Sequence, residues 1–120
     1  MKLENDICKE VYVLSNEALL SRISFVVFGD DCWRVKIDFK VVGSPEIIYD
    51  AHGQTVLEAR RTIRNIANIV MAPITLIVIH GYRHGTAIKE MLAEENFSGR
   101  LICRYSPEFN PGETFMEIAA

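Results

Sequence analysis

Residues 74–79 form a continuous segment of aliphatic and β-branched side chains, Ile-Thr-Leu-Ile-Val-Ile. Pro73 precedes the segment, and His80 and Gly81 follow it. An apolar run without alternation is typical of a strand that is covered on both faces, as in α/β sheets. The segment therefore predicts an α/β fold in which this strand is central.

The neighbouring segments alternate between strand and helix patterns. Residues 47–49 form a short apolar strand, and Thr55 with Glu58 has the spacing of a capping box that opens a helix. The helix is predicted to run to about residue 71, with its apolar stripe at Val56, Ala59, Ile63, Ile66 and Val70. A helix over residues 86–95 and strands over 101–105 and 114–118 complete a βαβαββ order. Because strand–helix–strand units are nearly always parallel and right-handed, the first two strands should end at one edge of the sheet.

The first 45 residues are predicted to form a β-hairpin extension to a domain over residues 46–120. Residues 32–42 alternate strictly, with Trp33, Val35, Ile37, Phe39 and Val41 on one face. A strand over residues 25–28 precedes them across a Gly-Asp-Asp turn, and residues 16–24 fit a short helix equally well. The break at residues 43–45 separates the two parts. The extension could complete the sheet, cover an edge or mediate assembly.

Composition limits the class of protein. A chain of 120 residues is sufficient for one hydrophobic core. Its densest apolar segment, residues 69–79, is interrupted by Pro73 and Thr75, so we expect no membrane span. Cys8, Cys32 and Cys103 are odd in number and widely spaced, which predicts reduced thiols in a cytoplasmic protein.

Charge is distributed unevenly along the chain, although the net charge is only −3. Residues 53–105 carry seven Lys or Arg against four Asp or Glu, whereas both flanks are acidic. Local charge governs binding to a phosphate backbone, so the middle of the chain is a candidate nucleic-acid surface. An ordinary solvated surface is the alternative.

All three histidines, His52, His80 and His84, follow the two strands that we expect to be parallel. Asp50 and His52 are two residues apart, so on an extended chain both side chains share a face and the carboxylate can orient the imidazole. The N-termini of both predicted helices lie at the same edge and favour an anion. This edge is therefore a candidate phosphate site.

Simpler interpretations remain open for each of these residues. Asp50 can be a turn or capping residue, and His52 and His80 can be turn residues before glycine. Arg60, Arg61 and Arg64 can be a solvated helix face. A metal site built from Asp50, His52 and His80 lacks any specific ligand spacing, so we predict no metal ligands.

Two motifs resemble the small MutS-related (Smr) domain family over about residues 47–119. Residues 49–53, Tyr-Asp-Ala-His-Gly, resemble the family's leucine-aspartate-x-histidine-glycine motif, and Thr55, Glu58 and Ala59 fit its helix start. Residues 79–85, Ile-His-Gly-Tyr-Arg-His-Gly, are similar to its histidine-glycine-x-glycine loop. Residues 112–114 resemble its closing segment. Tyr49 departs from the usual leucine, and Arg83 stands where a glycine is usual in a loop that is one residue longer.

The resemblance implies a two-layer α/β sandwich similar to the C-terminal domain of translation initiation factor three. It also implies nucleic-acid binding, with endonuclease activity or a ribosomal role in some members. Asp50, His52 and His80 correspond to catalytic positions. The substrate-binding residues that we expect are Gly53, Gly81, Tyr82, Arg83, His84, Gly85, Arg60, Arg61, Arg64 and Lys89.

A mechanism can be written for these residues as a hypothesis. His52 would deprotonate a nucleophile while Asp50 orients it, and His80 or Arg83 would stabilise the phosphate or protonate the leaving oxygen. An RNA substrate supplies its own 2′-hydroxyl, so no cofactor is expected, whereas DNA cleavage by water would call for a divalent metal.

Two functions of other classes compete with the endonuclease. A binding module would use the same edge to hold RNA, DNA or a ribosome without turnover. A protein-interaction domain would use the strand from Trp33 to Val41 to pair with a partner or a second copy. The oligomeric state does not follow from the sequence.

Overall fold

The structure is a computed structural model that describes residues 33–38, 44–70, 72–81 and 86–119. The predicted strand over residues 25–28, the alternative helix over 16–24 and residues 39–42 of the alternating strand lie outside the described residues.

The described residues form a mixed sheet and two helices. The strands are β1 (Val35–Asp38), β2 (Glu46–Asp50), β3 (Ile74–Ile79), β4 (Leu101–Tyr105) and β5 (Glu113–Ile118), and the helices are α1 (Val56–Val70) and α2 (Ala87–Glu94). The strand order is β1-β2-β3-β5-β4. β2 and β3 are parallel and the other pairs are antiparallel, which confirms the predicted element order and the shared edge.

Both helices and one face of the sheet share a single hydrophobic core. The core joins Ile63 and Ile66 of α1 and Leu92 of α2 to side chains of the strands, including Leu76 and Met116. These five side chains are fully buried, and each contributes roughly 1.5–3 kcal/mol by leaving water. Two helices and one five-stranded sheet around one core are consistent with an α/β sandwich.

Helix α1 begins with the predicted capping box. The Glu58 amide donates to Thr55 Oγ1 at 3.1 Å, and the Thr55 amide donates to Glu58 Oε1 at 2.9 Å. This reciprocal pair satisfies two amides that the first helical turn leaves without partners. The cap fixes where α1 starts and therefore fixes the length of the turn between β2 and α1.

The N-terminal segment contributes β1, which pairs with β2 in the register Val35 to Tyr49. Val35 and Ile37 pack against the core and Lys36 and Asp38 are exposed, as the alternation predicted. The prediction for Trp33 was wrong. Trp33 lies in a helical turn before the strand and is 56% exposed, because the extended conformation begins only at Val35.

No helix within the described ranges is long and apolar enough to cross a membrane.

Candidate functional site

The candidate site lies where β2 and β3 end side by side. Asp50 and Ile79 are paired in the parallel register, and the Ala51 amide donates to the Ile79 carbonyl at 2.9 Å. The first polar residue after each of these strands is a histidine, His52 after β2 and His80 after β3. The structure therefore brings the two predicted motifs to one edge, as expected from the parallel pairing.

A tight turn after β2 carries Asp50 and His52. Asp50 Oδ1 accepts the backbone amide of His52 at 3.0 Å, and the Gln54 amide donates to the Ala51 carbonyl at 3.0 Å. Gly53 has a φ of +84°, a conformation that L side chains rarely adopt. The observed partner of the Asp50 carboxylate is thus the backbone of His52, whereas the sequence had suggested the imidazole. Asp50 fixes the turn on which the imidazole is mounted.

Arg34 holds the same turn from the neighbouring strand. Its Nη1 donates to the carbonyl of Asp50 at 3.1 Å and to the carbonyl of His52 at 2.9 Å. Sequence reasoning missed this residue, because its proximity depends on the pairing of β1 with β2 across 16 to 18 residues. The only signal in the sequence was a cation at the start of an alternating strand.

Tyr49, at the end of β2, also contacts the residues of the turn. Its side chain is buried, and its hydroxyl donates a hydrogen bond to Gln54 Oε1. The tyrosine hydroxyl therefore adds a polar contact between the end of β2 and the start of α1.

The imidazole of His52 lies against the turn that follows β3. A Cβ atom at Gly81 would come within 3.4 Å of His52 Cδ2, and Gly81 has a φ of +74°. The positive φ favours glycine here, and an added Cβ would only just meet the ring. His52 is exposed, so its ring lies close to the second motif and is accessible to a ligand.

His80 differs from His52, because it is buried and both of its ring nitrogens have protein partners. Nδ1 lies 2.7 Å from the Gly81 carbonyl, which can only accept, so Nδ1 carries the proton. Nε2 then accepts the hydroxyl of Thr114 at 2.8 Å, and Ser106 Oγ lies 3.3 Å from that hydroxyl. Burial lowers the pKa of His80, and Lys89 lowers it further, while the Gly81 carbonyl and Glu113 raise it less.

The backbone around His80 is also fixed to β5. The amides of His80 and Gly81 both donate to the Gly112 carbonyl, at 2.8 and 3.0 Å. His80 therefore joins the end of β3 to the start of β5 through both its backbone and its ring. Its ring nitrogens are engaged inside the protein in this arrangement.

The helix arginines have different surroundings. Arg60 is half-buried and Arg61 is exposed, whereas Arg64 Nε donates to Glu95 Oε1 at 2.7 Å. Glu95 is buried and also accepts the Phe97 amide at 3.0 Å. Burial raises the pKa of Glu95, but these hydrogen bonds outweigh it and hold the pKa below its ordinary value. Arg64 is thus tied to the segment that follows α2.

The structure describes only some of the remaining predicted substrate-binding residues. Gly53 is exposed, Gly81 and Lys89 are half-buried, and residues 82–85 lie outside the described residues. In the part of the chain that the structure describes, no three His, Cys, Asp or Glu side chains are arranged to hold a metal ion.

Comparison of the chain with family models, with curated proteins and with solved structures found no match.

Proposed function

We propose that this chain is an Smr-like nucleic-acid-binding protein that cleaves phosphodiester bonds at the edge formed by the ends of β2 and β3. The observation that supports it best is the proximity of the two motifs: the His52 imidazole is exposed, and a Cβ atom at Gly81 would lie 3.4 Å from its Cδ2. The mixed sheet with two helices fits the sandwich that the resemblance implies. We further propose the cytoplasm as its location, where an exposed thiol such as Cys103 stays reduced.

In this proposal His52 is the general base. With RNA as substrate, His52 takes the proton of the 2′-hydroxyl, and the 2′-oxygen forms a bond to phosphorus. The bond from phosphorus to the 5′-oxygen breaks, and the departing oxygen takes a proton from solvent. The products are a 2′,3′-cyclic phosphate and a 5′-hydroxyl, and the step needs no metal.

Asp50, Arg34 and His80 are positioning residues in this scheme. Asp50 and Arg34 hold the His52 turn through its amide and its carbonyl. His80 fixes the Gly81 turn against which the His52 ring lies. This replaces the direct role in acid–base chemistry that the sequence had suggested for His80, because both of its nitrogens are engaged.

Three cations of the two helices are proposed to contact the phosphate backbone. Arg60 is half-buried and Arg61 is exposed on α1, and Lys89 on α2 is half-buried and close enough to His80 to lower the pKa of that residue. Arg64 is assigned chiefly to its ion pair with Glu95.

Cleavage of an end-labelled RNA and of a supercoiled plasmid, each with and without chelator, tests the proposal. We expect the parent protein to cut RNA in chelator and His52→Ala to lose the activity. Where Asp50 is substituted, Asp38→Asn is the matched control. Asp38 pairs with Glu46 at the start of β2, whereas Asp50 lies at the end of β2 that carries the site. Equal cleavage by the parent and His52→Ala would contradict the mechanism.

A binding module without turnover is the second candidate. It is favoured by the engagement of both His80 nitrogens, which leaves His52 as the one accessible imidazole among the described residues of the site. Salt-sensitive RNA binding with no cleavage of either substrate would support this candidate.

A further inference from the structure

The single tryptophan of the chain lies on the surface beside the candidate site. Trp33 is 56% exposed, although the guanidinium carbon of Arg34 lies 4.6 Å from the centre of its ring. The cation therefore lies over one face of the indole. An exposed indole offers a flat aromatic surface on which another ring can stack.

Arg34 connects this indole to the His52 turn. The same guanidinium that stacks on Trp33 donates to the carbonyls of Asp50 and His52. One guanidinium group therefore separates the indole from the backbone of His52.

We propose that the indole of Trp33, held by Arg34, is a stacking platform for an unpaired base of the nucleic acid bound at His52. This inference rests on the proposed function and adds that the substrate is single-stranded at this position. Aromatic side chains bind unpaired bases of any sequence by stacking, whereas the bases of a duplex are already stacked on one another. The cation behind the indole also favours the negative charge of the strand.

Intrinsic fluorescence reports on the platform directly, because no other tryptophan contributes to the emission. The probe is a short 2′-O-methyl RNA, which cannot supply the nucleophile, offered as a single strand and annealed to its complement. We expect saturable quenching by the single strand and little quenching by the duplex. Affinity is measured in parallel by anisotropy of a labelled probe, so that variants without tryptophan can be compared.

The variants separate stacking from a structural role. Trp33→Ala should weaken single-strand binding about 5- to 150-fold, the equivalent of the roughly 1–3 kcal/mol that one base–aromatic stack contributes. Trp33→Phe retains a ring and should restore most of the affinity. Phe109→Ala removes another exposed ring, in the loop before β5, and should leave the affinity unchanged.

Three results would overturn the platform: no binding of the single strand, binding without a change in emission, or equal affinity of the parent and Trp33→Ala. The result is independent of turnover. Quenching by the single strand in a protein that cleaves neither RNA nor plasmid would support the stacking platform and refute the nuclease activity. Cleavage that is unchanged in Trp33→Ala would support the nuclease activity and refute the stacking platform.

Discussion

At the scale of the residue, the two candidate histidines have opposite environments. His52 is exposed on a turn that four hydrogen bonds hold: two that Arg34 donates, one that the His52 amide donates to Asp50, and one that the Gln54 amide donates to Ala51. His80 is buried between Gly81 and Thr114. An accessible imidazole on a fixed backbone suits proton transfer, whereas a buried imidazole with two partners suits positioning.

Substitutions of Asp50 separate a positioning role from a direct one. Asn retains an oxygen that can accept the His52 amide, whereas Ala removes it. We expect Asp50→Ala to lower the single-turnover cleavage rate on the order of 100-fold, the scale of a misplaced catalytic group, and Asp50→Asn to lower it much less. Equal losses in the two variants would show that the negative charge itself takes part in the reaction.

Protonation of His80 should lower stability in acid. Burial holds its pKa in the folded protein below the ordinary value of 6.5, so below that pH the unfolded chain binds more protons than the folded one. The free energy of unfolding should therefore be highest above pH 6.5 and fall as the pH is lowered through the value in the unfolded chain. Urea unfolding from pH 8 to 5 measures this. His80→Asn should show a shallower fall, and an unchanged slope would contradict the assignment.

At the scale of the element, the site depends on which strands are neighbours. The proximity of the ends of β2 and β3 could be predicted, because a continuous apolar segment and a capped helix indicate a parallel strand–helix–strand unit. The contacts of Arg34 and Thr114 could not be predicted. They arise because β1 lies beside β2 and β5 lies beside β3, and strand order depends on long-range pairing that no local pattern records.

Trp33 likewise shows that the periodicity of a sequence does not define where a strand begins. The alternation of apolar side chains continues backward from Val35 through residue 33, but the chain turns before the strand begins. A pattern of alternation therefore indicates a strand without fixing its first residue.

The ion pair between Arg64 and Glu95 should connect α1 to the segment after α2. Arg64→Ala leaves a buried carboxylate with one partner fewer, and we expect it to lower the free energy of unfolding by roughly 1–2 kcal/mol. Arg61→Ala is the matched control on the same helix and should change stability by less than about 0.5 kcal/mol. Equal values for the two variants in chemical denaturation would refute a structural role for Arg64.

At the scale of the whole molecule, an acidic chain carries a locally basic region, which we propose binds an anionic ligand. The net charge is −3, yet residues 53–105 carry an excess of cations. Binding through this region should be governed by local charge and should weaken as the salt concentration rises, because the release of counterions from the nucleic acid then becomes less favourable.

Salt dependence measures how many cations take part. Each phosphate neutralised contributes about −0.7 to the slope of log affinity against log salt for a single strand, so removal of Arg60 and Arg61 together should reduce the slope by up to about 1.4. Lys36→Ala removes an exposed cation of β1 and should leave the slope unchanged. If the slope is the same without both arginines, the phosphate contacts lie elsewhere.

The proposed cleavage depends on His52 acting as the base. The single-turnover rate of RNA cleavage by the parent and by His52→Ala, both in chelator and both shown to be folded, tests this role. We expect the variant to be slower by about 100- to 10,000-fold, the usual contribution of a general base. Equal rates in the two proteins would contradict it.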